Sequence, residues 1–270
     1  MKNLTSNTGL AQAIILQQGE VISLVGGGGK TTLMFALARE LVTDGHLVIT
    51  TTTTVIQEPL PGQTPLLLIE KDEEKLLELV SEHIMAYRHV TLAMERLFPE
   101  KLKGIRPELV LKLGDLEKQP YIIVEADGAA QRPLKAPSAT EPVLPPNTTL
   151  VIPVIGIDAL GSPLNELNVF RAGIAARLLG SPIGRVISAE DITTLLTHTN
   201  GITRGTPENA RVIPFINKIE TAADLERGTV LAEEILKHKH PRIKQVILGS
   251  ARSVAPIVKI ITEKQHDRYL

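Results

Sequence analysis

The chain has no cysteine and no tryptophan, and aromatic residues make up only 3% of its 270 positions. Without a thiol there is no disulfide, thiolate metal site, cysteine nucleophile or protein-bound persulfide. With so few aromatics, the stacking platforms on which single-stranded nucleic acids lie are scarce. An excess of one charge is missing too. The 29 Lys and Arg against 30 Asp and Glu leave a net charge of −1, which offers no basic footprint for nucleic acid or an anionic membrane. No stretch reaches the ~18 to 20 uninterrupted apolar residues of a membrane span. The opening Met1-Lys2-Asn3-Leu4 lacks the pattern of a signal or transit peptide. Together these absences predict a cytoplasmic protein whose partners are neither nucleic acid nor membrane.

What is present is ordinary globular material, 43% apolar and 22% charged, long enough for one large domain over 1–270. Short β-branched runs alternate with stretches of helical period, the form of βαβ units and a largely parallel sheet. Strands are predicted at 21–25, 47–51, 66–69, 90–93, 121–124, 150–155, 211–216 and 245–248. Helices are predicted at 30–42, 72–86, 166–179, 189–197, 222–239 and 253–262. Five prolines between Pro133 and Pro146 remove too many amide donors for a helix or a central strand. Irregular insertions are expected near 94–115 and 131–168. The pattern predicts a three-layer α/β fold of the P-loop NTPase type, a mainly parallel sheet flanked by helices.

The strongest local signal is Val21 to Val25 running into Gly26-Gly27-Gly28-Gly29-Lys30-Thr31-Thr32 and then an amphipathic helix. Consecutive glycines let a backbone wrap a polyphosphate, and the helix N-terminus adds its positive dipole. Lys30 is placed to reach the β- and γ-phosphates and Thr31 to ligate Mg²⁺. The full G-x-x-x-x-G-K-[ST] pattern wants glycine where Leu24 stands. Gly26, four residues before the lysine, instead resembles the compact phosphate loop of Mur-type ligases.

A second apolar strand ends in Glu125-Ala126-Asp127-Gly128, whose spacing puts two carboxylates on one strand face. Such a pair orients a Mg²⁺ shell or activates water, with the two roles interchangeable between Glu125 and Asp127. Lys30, Glu125 and Asp127 are therefore the expected catalytic residues. Thr50 to Thr54 leave a neighbouring strand, and Thr52 joins Thr31, Glu125 and Asp127 as an expected metal ligand. Arg132, Lys135, Asp158, Arg171 and Arg177 are further charged groups near the same edge. Asn217-Lys218-Ile219-Glu220 resembles the guanine-reading Asn-Lys-x-Asp of GTPases, with Glu for Asp. Ser250-Ala251-Arg252 resembles the Ser-Ala-Lys loop that accompanies it. These residues favour guanine over adenine without excluding ATP.

Taken together, Leu24 to Thr32, the Thr50 to Thr54 run, Val124-Glu125-Ala126-Asp127-Gly128-Ala129, Gly156-Ile157-Asp158-Ala159-Leu160-Gly161 and Asn217-Lys218 resemble the YqeC family across nearly the whole chain. Its members are described as accessory proteins of selenium-dependent molybdenum hydroxylases, or as selenium cofactor biosynthesis proteins. The resemblance implies a partner in a molybdenum hydroxylase or its cofactor-maturation machinery. If selenium is handled, the missing cysteine excludes its carriage on a thiol. The leading expectation is thus a Mg²⁺-dependent protein that binds GTP or ATP and assists such maturation by hydrolysis or phosphoryl transfer. A small-molecule kinase or carboxylate-activating enzyme, and a non-catalytic nucleotide-gated chaperone, stand beside it.

Overall fold

The computed structural model describes residues 8–263, so the Met1 to Leu4 reading lies outside the described residues. The chain runs through α1 (Leu10–Ala13), β1 (Val21–Gly26), α2 (Lys30–Thr43), β2 (Val48–Thr52), β3 (Val55–Gln57), β4 (Leu67–Ile69), α3 (Glu73–Tyr87) and β5 (His89–Ala93). A hairpin of β6 (Glu95–Leu97) and β7 (Lys101–Lys103) follows, then α4 (Pro107–Gly114), β8 (Tyr121–Glu125), β9 (Leu134–Lys135), β10 (Leu150–Gly156) and β11 (Val169–Phe170). The last elements are α5 (Ala172–Leu179), α6 (Ala189–Thr197), β12 (Arg211–Val212), β13 (Phe215–Asn217), α7 (Ala222–Lys237), β14 (Gln245–Gly249) and β15 (Ile257–Thr262).

Ten strands form one sheet in the order β15-β14-β13-β10-β1-β8-β2-β5-β4, with β12 beside β10, and every pairing except β14 with β15 is parallel. Its central strands are buried along their whole length, as continuous Val/Ile/Leu runs require when both faces are covered. Ile22 and Leu24 of β1 pack towards α1 and α2, with Leu33, Met34 and Leu37. Val21 packs on the other face with α3 and α4, and Val25 with α5 to α7. The result is a three-layer α/β fold.

From β1 the chain winds outward to β4, returns to slot β8 between β1 and β2, and then crosses to β10 on the other side. Ligands of open parallel sheets gather where strand order reverses in this way, outside the C-terminal strand ends. The phosphate loop follows β1, the acidic pair follows β8, and Asn217 ends β13. All three predicted motifs therefore share one sheet edge.

Several expectations are corrected. Residues 253–262 form no helix. Pro256 interrupts any helix, and the β-branched run Ile257-Val258-Lys259-Ile260-Ile261-Thr262 pairs antiparallel with β14. The helix expected from Glu166 begins only at Ala172, because Asn165 Oδ1 draws in the amides of Leu167 and Asn168 and Val169–Phe170 pairs with Leu134–Lys135. The 94–115 segment is regular. Leu102 is buried between exposed Lys101 and Lys103 in β7, and Leu109, Val110 and Leu113 give α4 an apolar stripe.

The threonine run is tied into the sheet. Thr50 Oγ1 meets His89 Nε2 at 2.9 Å and Thr91 Oγ1 at 2.7 Å, while Thr51 donates to the Leu92 carbonyl at 2.9 Å. Burial of His89 beneath α2 pushes its imidazole pKa down from 6.5 to about 4. An unfolded chain takes up this proton below pH 6.5, whereas the folded chain resists it until about pH 4. Stability should therefore fall across that window as the pH drops, by about 3 kcal/mol in all. His89→Gln, which keeps a partner for Thr50 but cannot titrate there, should flatten this part of the pH profile in denaturant unfolding. An unchanged profile would refute the assignment.

Candidate active site at the C-terminal sheet edge

The glycine loop is shaped by close packing. Gly28 has φ of +78°, and a Cβ there would stand 2.2 Å from Gly156 N. At Gly29, φ is +116° and a Cβ would meet Asn217 Nδ2 at 2.5 Å. A side chain at either position would clash as well as strain the backbone. Three loop amides are already paired, Gly26 N–H with Asp127 Oδ2 at 3.0 Å, Gly27 N–H with the Val154 carbonyl at 2.9 Å and Gly28 N–H with the Arg132 carbonyl at 2.8 Å. The amides open to a phosphate therefore begin at the helix start.

The helices of this protein start in two ways, and α1, α2, α4 and α5 have no side-chain cap. Helices α3, α6 and α7 each open on a capping side chain, Asp72, Ser188 and Thr221. Helix α2, 14 residues long, opens on Gly29 with no side-chain cap. Its first-turn N–H groups and positive dipole end are left for an external acceptor.

Lys30 is buried at this point. Its ammonium donates to the Gly26 carbonyl at 2.6 Å, lies 3.1 Å from Asp127 Oδ1 and 3.6 Å from Glu125 Oε1. Burial alone would lower its pKa, but the charges of Asp127 and Glu125 outweigh burial and hold the lysine above its ordinary value. Burial pushes the Glu125 carboxyl up, with the nearby Asp127 charge adding to it and Lys30 and Thr31 only partly opposing. Thr31 Oγ1 donates to Glu125 Oε2 at 2.6 Å. Asp127 Oδ2 accepts from Gly26 N at 3.0 Å, while its Oδ1 is buried and accepts no hydrogen bond.

Asp127 has a second cation. Lys135, brought inward by β9 from the proline-rich segment, is fully buried with Nζ 3.1 Å from Asp127 Oδ2. It also donates to the Gly128 carbonyl at 2.6 Å and to Glu141 Oε2 at 2.7 Å. Glu141 in turn accepts from both terminal guanidinium nitrogens of Arg171, Nη1 at 2.5 Å and Nη2 at 3.1 Å. Burial would raise the Glu141 carboxyl, but the hydrogen bonds from Arg171 and Lys135 bring it below the usual range. A continuous charge chain thus runs Lys30–Asp127–Lys135–Glu141–Arg171. Its outer half was legible only as a cluster of cations near the edge. Glu141, on a proline-rich stretch without period, carried no local signal.

Thr52 is placed beside the acids, but its hydroxyl donates to the Glu125 carbonyl at 2.7 Å and meets the Thr54 amide at 3.0 Å. It fixes the strand end that carries Glu125. Thr53 does the same for the proline-rich segment through the Val143 carbonyl at 2.6 Å.

On the other flank, Asn217 braces two loops. Its Nδ2 donates to the Gly28 carbonyl at 2.7 Å and its Oδ1 accepts from Ala251 N at 2.9 Å. Lys218, with φ of +68°, pairs with Asp158 Oδ2 at 2.6 Å. Glu220 is exposed and reaches Ser250 Oγ at 3.4 Å. Gly28, Gly29, Thr32, Asn217, Lys218, Glu220, Ser250 and Arg252 surround a cavity of about 250 Å³. The structure thus gathers the predicted base-loop and phosphate-loop residues around one opening. Arg177 is exposed on α5 and joins none of these contacts.

Removing one partner from a buried ion network leaves an uncompensated charge. Lys135→Met should accordingly lower stability by about 3 to 5 kcal/mol in denaturant unfolding. A loss below about 1 kcal/mol would show that Lys135 is not held in this network.

The family model described as YqeC protein matches residues 22–173, which take in the phosphate loop, the threonine run, the acidic strand end and the Lys135–Glu141–Arg171 chain. The chain is also 30% identical over 218 residues to the uncharacterized protein YqeC of Escherichia coli (strain K12), an alignment covering 81% of this chain and 83% of that protein. The chain belongs to the YqeC family.

Proposed function

We propose that this protein binds a Mg²⁺–nucleoside triphosphate at the β1–α2 loop and acts as an NTP-hydrolysing accessory factor in the maturation of selenium-dependent molybdenum hydroxylases. The observation that carries the nucleotide reading is Lys30, buried against Asp127 and Glu125 beside an uncapped helix start. Such a lysine has a resting counter-charge and, within reach, the amides that hold a phosphate. The family resemblance supports the cellular role.

The residues present suit Mg²⁺. Thr31 Oγ1, Glu125 and Asp127 supply oxygen ligands of the hard type, and Asp127 Oδ1, which makes no hydrogen bond, faces the Lys30 ammonium at 3.1 Å. Among the described residues no group of three or more His, Asp or Glu converges on one point, so phosphate oxygens and water would complete the shell of the ion. When bound, Mg²⁺ offsets charge on the β- and γ-phosphate oxygens. Lys30 moves from Asp127 to the phosphates, and the α2 amides fix their position. Glu125 holds Thr31 and, with Asp127, orients the attacking water. The exposed Glu220 carboxylate offers acceptors for the N1 and N2 donors of guanine, which favours GTP.

Lys30→Ala should abolish Mg²⁺-dependent nucleotide binding in calorimetry, and binding equal to the parent protein would refute the loop assignment. Glu125→Gln should retain binding while slowing turnover ~100-fold or more. Because burial raises the Glu125 carboxyl, turnover that needs its ionised form should decline with acid at a pH above the ordinary carboxylate value of 4.5. Glu220→Ala should erase any preference for GTP over ATP. For the cellular role, a hydroxylase captured from lysate with one nucleotide state and not the other is the expected result. Capture that ignores the nucleotide would contradict a switch.

A further inference from the structure

A second cavity, of about 370 Å³, lies on the α2 face of the sheet. Phe35, Ala36 and Val42 of α2 and Pro65 give it apolar walls, and His89 forms part of the lining. Arg39 and Arg252 stand at it, and neither makes an ion pair or a side-chain hydrogen bond among the described residues. The exposed Arg177 shares this property, while Arg88, Arg132, Arg204 and Arg242 hydrogen-bond to backbone carbonyls. Arg96, Arg106, Arg171, Arg185, Arg211 and Arg227 all have carboxylate partners. No Asp or Glu lines the cavity, and the buried His89 is neutral at ordinary pH. The lining is therefore cationic, on an apolar body, at a volume within the ~300 to 1,000 Å³ usual for small-molecule sites.

Its position is equally specific. Thr32 and Arg252 line both this cavity and the one bounded by Gly28, Gly29, Asn217 and Glu220, so the two openings adjoin. Glu125, Asp127 and Lys135, which gather on the β8 side of the phosphate loop, take no part in it. A ligand here lies beside the base end of the first cavity, away from the acidic pair.

We infer that this cavity is a second ligand site, for a small organic anion whose carboxylate or phosphate is held by Arg39 and Arg252 and whose planar apolar body lies against Phe35, Ala36 and Val42. Two unpaired guanidiniums read a carboxylate or a phosphate equally well, and their fork geometry matches either. The inference does not depend on the nucleotide reading.

Phenyl phosphate, benzoate and the neutral benzyl alcohol are the probes, titrated into the full chain by calorimetry. The parent protein should bind phenyl phosphate or benzoate, and whichever is the tighter identifies the anion. Benzyl alcohol should bind at least tenfold more weakly. Arg39→Glu alters an exposed residue that lines only this cavity. It should weaken the anion at least tenfold while leaving nucleotide binding unchanged. Lys30→Ala should leave anion binding intact even where nucleotide binding is lost, which separates this site from the phosphate loop. Equal binding of benzyl alcohol, no effect of Arg39→Glu, loss of the anion in Lys30→Ala, or binding of neither anion would each overturn the proposal.

Discussion

Asp127 is the charge on which the candidate site depends. A carboxylate with no solvent exposure would be intolerably costly alone, and here it is held between two buried ammonium groups, Lys30 and Lys135, each 3.1 Å away. One lysine belongs to the phosphate loop and the other to the proline-rich segment. The same carboxylate also takes the Gly26 amide at the mouth of the loop. The phosphate loop and the proline-rich segment, far apart in sequence, are thereby locked to a single side chain. The lysine that would serve a phosphate is kept charged by the group that would lose it on binding.

The fold exists to make that junction possible. Inserting β8 between β1 and β2 sets Glu125 opposite Leu24 and brings Asp127 under the glycine loop. Crossing to β10 and β13 on the other side brings Gly156 and Asn217 against Gly28 and Gly29. The glycines are required as much by these backbone contacts as by any ligand. The binding amides are consequently those of the α2 start, where the helix has no cap of its own.

Most of the sheet was legible because its strands are continuous β-branched runs bounded by glycine, proline or helical period. The phosphate loop, the acidic pair and Asn217 were legible because each is a short motif fixed at a strand end. Residues 253–262 were misread because Ile257, Ile260 and Ile261 fit a helical spacing as well as a β-branched run, and only pairing with β14 decides between them. Glu141 and the inward turn of Lys135 were hidden for a different reason. Their role arises from a two-residue pairing with Val169–Phe170 across a proline-rich stretch, a contact between distant segments that leaves no local period. The threonine run shows the converse. Five hydroxyls at a functional edge suggest a ligand, yet Thr50 to Thr53 hydrogen-bond chiefly to neighbouring strands and to the proline-rich segment.

The most direct measurement is a crystal structure of the protein with Mg²⁺ and a non-hydrolysable GTP analogue. Lys30 Nζ should have left Asp127 for the β- and γ-phosphate oxygens, with the α2 amides on the same phosphates and Asp127 retained by Lys135. A nucleotide bound elsewhere, with Lys30 still paired to Asp127 and Glu125, would contradict the exchange on which the proposed function rests.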